Sequence, residues 1–222
     1  MSTTRQLLHL FHEWRSSYGD QGRTLVCDGP IGGDAAWETA PLRIVFLLKE
    51  PHDRNSILEK CGYDLTELFR RPELYVGNRK SAERVLGRWA FCLQQIHAGN
   101  SYSLEAAGHY AHSALLATAV VNLKKLPGGK SSTDAVIRHF AERDKGLLRR
   151  ELDILQPDVV VCGGTYRTAS IVFPELQPLN SDCPWVRCAS CVWINHVHPS
   201  CREKSSIKYD KLFAAYRSSP GR

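Results

Sequence analysis

Four short apolar runs, separated by segments of helical periodicity, constrain this chain more than any other feature. The first is Arg43-Ile-Val-Phe-Leu-Leu48, set between Pro41 and Pro51; the others are Thr118–Leu123, Asp158–Cys162 and Cys191–Asn195. A strand with one face in water alternates polar and apolar residues, whereas these runs are apolar almost throughout, as expected of parallel strands covered on both faces. Helical spacing fills the gaps. Leu7, Leu8, Phe11 and Trp14 mark a helix over Arg5–Trp14, and Val85, Trp89, Leu93 and Ile96 mark another over Ser81–Ile96. A third spans Leu104–Leu116, and Thr133 can cap a fourth that runs to about Leu155 with Ile137, Ala141, Leu148 and Leu152 inward. Thr165 can cap a helix after Gly163-Gly164, and a last helix follows Arg202 through Phe213. The Gly- and Asp-rich stretch Cys27–Asp34 reads as loop. This alternation predicts an α/β fold: a three-layer αβα sandwich with a central four-stranded parallel sheet, in one domain over 1–222.

The chain carries 29 Lys and Arg against 23 Asp and Glu, a formal charge of +6 that favours an anionic partner such as nucleic acid. No run reaches the ~20 apolar residues of a membrane span and no signal-peptide core stands at the N-terminus, so a cytoplasmic protein with no membrane partner is expected. In that setting the 8 cysteines are expected to be thiols rather than disulfides. Cys183, Cys188, Cys191 and Cys201 include one CxxC pair with ligand-like spacing, yet no second pair exists. No metal and no cofactor are expected.

In a parallel sheet of this kind, ligands bind beyond the carboxyl ends of the strands. Three of the four runs end in chemically distinctive residues: Lys49-Glu50-Pro51-His52, Asn122-Leu-Lys-Lys125-Leu-Pro-Gly-Gly129 and His196-Val-His198-Pro199-Ser200. A carboxylate, an amide and an imidazole thus converge from distant parts of the sequence. Gly128-Gly-Lys130-Ser131 is not a phosphate-binding P-loop, because Lys124 stands where its first glycine would be.

An acidic-Pro motif after one strand, an Asn after another and a late His-Pro-Ser, in that order, resemble the uracil-DNA glycosylase superfamily over about 43–200. The resemblance implies a uracil-DNA glycosylase-like fold. It also implies a DNA glycosylase, a monomer that flips a pyrimidine out of DNA and hydrolyses its N-glycosidic bond. Glu50 and His198 are its implied catalytic residues. Asn122, His52, Pro51 and Ser200 would bind the substrate, and Lys124, Lys125, Lys130 and Arg202, with Lys204 nearby, would contact DNA phosphates. His196 reads as a wall or core residue. In the uracil-specific branch a Tyr stands at the His52 position and a Gly at the Leu48 position. A smaller His52 would leave room for a 5-substituted pyrimidine, such as a modified base of phage DNA met in antiviral defence. Two other classes stay open: a DNA-binding protein of the same fold without catalysis, and a nucleoside hydrolase.

Overall fold

The computed structural model describes residues 1–51, 62–71, 80–129, 133–176, 179, 183–202 and 204–219. The four apolar runs form β2 (Ile44–Leu48), β3 (Thr118–Asn122), β4 (Val159–Gly163) and β6 (Cys191–His196), all parallel. The sheet has six strands rather than four, in the order β1-β3-β2-β4-β6-β5. The additional strands are short antiparallel edges: β1 (Gly29–Pro30) on β3, and β5 (Trp185–Cys188) on β6. Neither has a readable apolar pattern. β1 lies inside the stretch expected to be loop and contains a proline, which a sheet tolerates at its edge. The CxxC spacing has a structural origin, since Cys188 and Cys191 are opposite partners in the β5–β6 hairpin and Ala189-Ser190 make its turn.

Alternate residues of each central strand point to opposite cores. Ile44, Phe46, Val120, Val161 and Ile194 pack on one face, beneath α3 (Leu65–Arg70), α4 (Lys80–His97), α6 (Ala111–Leu116) and α10 (Ser205–Ser218). Val45, Leu47, Val121, Val160 and Trp193 pack on the other, against α1 (Thr3–Ser17), α7 (Asp134–Arg143), α8 (Lys145–Leu155) and α9 (Tyr166–Val172). Helices therefore cover both faces, as continuous apolar strands require. No helix among the described residues is long and apolar enough to cross a membrane.

Several helix boundaries differ from the periodic reading, each for a local reason. The helix expected over Leu104–Leu116 is two, α5 (Leu104–His109) and α6, with Tyr110 at their junction. The helix expected from Thr133 to Leu155 breaks at Asp144, a buried residue whose carboxylate accepts the Tyr18 hydroxyl from α1. Thr165 stands at the N-cap of α9 but makes no side-chain capping bond; its hydroxyl donates to the Leu47 carbonyl at 2.8 Å and ties β4 to β2. In α1 the buried stripe is Leu7, Leu10, Phe11 and Trp14, while Leu8 lies outside it and is exposed. A short helix, α2 (Gly33–Glu38), begins within the expected loop and buries Trp37.

The chain winds from β2 to β3 on one side, then returns past β2 to place β4 on the other. The β2–β3 connection runs over one face through α3 to α6, and the β3–β4 connection over the opposite face through α7 and α8. At such a reversal the two connections diverge and leave a crevice beyond the carboxyl ends of the strands. Here the reversal falls between β2 and β4.

Candidate active site

The reversal point gathers Lys49-Glu50-Pro51 from β2, Gly163-Gly164 from β4 and His198 from the loop after β6. Hydrogen bonds continue past the end of β2, from the Leu123 amide to the Leu48 carbonyl at 2.9 Å and from the Lys124 amide to Lys49 at 3.0 Å. Lys124 is thereby brought over Glu50, and its ammonium donates to Oε2 at 2.5 Å and to the Pro127 carbonyl at 3.3 Å. Both side chains are nearly enclosed, at 9% and 7% exposure. The Gly128 backbone lies against this carboxylate, its amide donating to the Pro51 carbonyl at 2.9 Å. A Cβ on Gly128 would stand 1.9 Å from the Glu50 carboxyl carbon. Gly128→Ala must therefore displace the carboxylate. It is expected to reduce any Glu50-dependent activity as severely as removal of the carboxylate, with the fold retained by circular dichroism; unchanged activity would take Glu50 out of the chemistry.

Gly163 and Gly164 form the adjoining wall. A Cβ on Gly163 would meet Leu48 Cδ2 at 2.8 Å, whereas one on Gly164, at φ +70°, would lie 3.5 Å from the His198 backbone nitrogen, an ordinary contact. The left-handed backbone at Gly164 is one that L side chains adopt at a cost. His198 is half-buried, with Pro199 buried and Ser200 exposed. The Ser200 amide donates to His198 Nδ1 at 3.2 Å, which leaves the ring proton on Nε2. Burial, with smaller contributions from the Lys49 and Lys208 ammonium groups, holds His198 below the ordinary histidine range, so the ring is uncharged at neutral pH. Lys49 is itself tied to Asp134 at 2.7 Å.

Asn122 ends β3, on the far side of β2 from Gly164 and the His198 loop. It is 1% exposed. Its backbone amide and its Nδ2 both donate to Asp28 Oδ2, at 2.7 and 3.1 Å. This fixes the amide with nitrogen toward Asp28, and no partner for Oδ1 occurs among the described residues. Asp28 belongs to a buried charged cluster that the sequence reading missed. Its Oδ1 accepts from Lys125 Nζ at 2.6 Å, and Lys125 also contacts Glu151 at 2.7 Å. All three side chains in these contacts are 0% exposed.

Lys125 therefore needs correcting. The expectation that it contacts DNA phosphates fails because the ammonium lies in the core, between two carboxyl groups and over the rings of Trp14 and Phe11. Burial pulls the Lys125 pKa down, but Asp28 and Glu151 outweigh it and the net shift is upward. Burial drives Glu151 well above the usual carboxylate range, opposed by Lys125 and reinforced by Asp28. Lys124, likewise expected at phosphates, is engaged with Glu50 instead. Arg202 and Lys204 are exposed beside the His198 loop, whereas His52 and Lys130 lie outside the described residues.

His196 is buried, with Trp89 edge-on at 4.6 Å, as a core residue should be. Among the described residues no group of three or more His, Cys, Asp or Glu side chains could hold a metal ion. A separate cavity of about 230 Å³ opens at the amino ends of the parallel strands, lined by residues that include Asp158, Arg187, His97 and Tyr216.

The site thus holds a buried, oriented carboxylate and a neutral imidazole at a fold reversal. Comparison of the chain with known protein families and with curated proteins returned no match.

Proposed function

We propose that this protein is a DNA glycosylase of the uracil-DNA glycosylase superfamily, with the fold of that superfamily. It would take a pyrimidine flipped out of DNA and hydrolyse its N-glycosidic bond. The observation that supports the reading is that Glu50 follows the end of β2 while His198 packs against Gly164 beyond the end of β4, the strand paired with β2. Hydrolysis breaks the C1′–N1 bond, sends its electron pair to the base and adds a water oxygen at C1′. Positive charge builds on the sugar and negative charge on the base. A carboxylate held by Lys124 and by the Gly128 backbone suits the sugar side, where it stabilises the cation or takes the water proton. A neutral imidazole with its proton on Nε2 suits the base side, where it donates to the oxygen on which charge collects.

Asn122 would read the pairing edge through Oδ1 and its second N–H, and Pro51 and Ser200 would line the site. Phosphate contact falls to Arg202, Lys204 and Lys130 in this account. The His52 position sets tolerance at C5, which makes modified pyrimidines, including those of phage DNA, candidate substrates. The test is single-turnover incubation with duplex and single-stranded DNA holding uracil, mismatched thymine or 5-modified pyrimidines, followed by alkali. Strand breakage at the modified position is the expected result.

One observation favours a second reading, a DNA-binding protein of the same fold that releases no base. Glu50 is already neutralised by Lys124 and covered by Gly128, an arrangement that also serves as a purely structural ion pair. Salt-sensitive DNA binding without breakage on any substrate would select that reading.

A further inference from the structure

The turn that carries His198 is held from beneath by a lysine. α10 is fixed in the core by Tyr209, Leu212, Phe213 and Tyr216. Lys208 lies one helical turn before Leu212 and so shares its inward face. The side chain is directed under the β6 loop, and the residue is 4% exposed. Its ammonium donates to the carbonyls of Pro199 at 3.2 Å and Cys201 at 3.0 Å. The turn closes on itself above, through the Cys201 amide to the His198 carbonyl at 2.9 Å and the Ser200 amide to His198 Nδ1. No carboxylate pairs with Lys208 among the described residues. A buried ammonium satisfied only by carbonyl groups is costly to retain, which marks the position as doing something a neutral side chain would not.

We propose that Lys208 is the positioning residue of the His198 turn: its ammonium clamps the two carbonyls that follow the imidazole and, with Lys49, sets the field in which the ring works. The inference rests on the glycosylase reading for its purpose, though not for its measurement. Charged groups reach His198 from two sides, Lys49 at the end of β2 and Lys208 on α10, while Asp134 on α7 is engaged by Lys49. Beyond β4, Gly164 lies against the His198 backbone and Cβ. Both ammonium groups oppose a proton on the ring and preserve it as a neutral donor.

The experiment follows the His198 ring by NMR titration in the full chain, beside the pH dependence of single-turnover base release. Lys208→Met removes the charge and both hydrogen bonds. Lys208→Gln removes the charge but keeps an amide donor for the carbonyls, and serves if the methionine variant does not fold. Lys208→Arg keeps the charge. Loss of the charge is expected to raise the His198 midpoint and, with it, the acid limb of base release, with Lys208→Arg near wild type. An unchanged midpoint in a folded Lys208→Gln variant overturns the proposal. A raised midpoint in a protein that releases no base from any substrate upholds the positioning role and defeats the glycosylase reading, so the two failures remain distinct.

Discussion

Lys125→Ala is expected to destabilise the protein by about 3–5 kcal/mol, because it leaves Asp28 without its cation in a site sealed from water. Truncation also opens space beneath the Trp14 and Phe11 rings. Glu151→Gln tests the charge assignment. A protonated carboxyl and an amide have similar shape and the same charge, so this variant should cost within about 1 kcal/mol. Chemical denaturation of the two variants measures both values. A mild Lys125→Ala, or a Glu151→Gln as damaging as Lys125→Ala, would contradict a buried ammonium held chiefly by Asp28 beside a Glu151 whose pKa burial raises. Because Asp28 also fixes Asn122, a folded Lys125 variant should show altered base selectivity before it shows altered DNA affinity.

The second large effect is on chemistry. Glu50→Gln should slow base release by ~10²-fold or more, and His198→Ala on the order of 10²–10³-fold, with DNA affinity little changed in both. The ion pair makes the Glu50 variant informative in a further way. Its amide no longer balances the Lys124 ammonium, which is 9% exposed, so a modest loss of stability should accompany the loss of rate. If denaturation detects the stability loss while the single-turnover rate is that of wild type, Glu50 is structural and the second reading gains. A folded His198→Ala of unchanged rate would likewise remove the imidazole from the reaction.

The strands and the three motifs were legible in the sequence because each rests on a strong local signal. Ile44–Leu48 and Val159–Gly163 are apolar at nearly every position, and glycine or proline ends each run. The edge strands were not legible, since two residues such as Gly29-Pro30 carry no period. Strand order was not legible either, and it is the order that brings the segment after β2, with Glu50, beside Gly163-Gly164 after β4. Lys124 and Lys125 show the main physical limit. Adjacent lysines after a strand read alike, yet the alternation of side chains sends one over Glu50 and the other into the core. The partners that decide this, Asp28 and Glu151, are 97 and 26 residues from Lys125. Lys208 escaped notice for a related reason, because a lysine on a helix otherwise marked by Tyr209, Leu212 and Phe213 reads as a solvated charge until the loop above it is known.

Whether the proposed site removes a base from DNA is tested most directly by mass spectrometry of what the protein liberates. Uracil-containing, thymine-mismatched and hypermodified phage DNA would each be incubated with wild type and with Glu50→Gln. The account predicts a free pyrimidine of defined mass from at least one of these DNAs, matched by abasic sites and reduced ~10²-fold or more by the Glu50 substitution. Binding of all three DNAs with no free base, or release that is indifferent to Glu50, would contradict it.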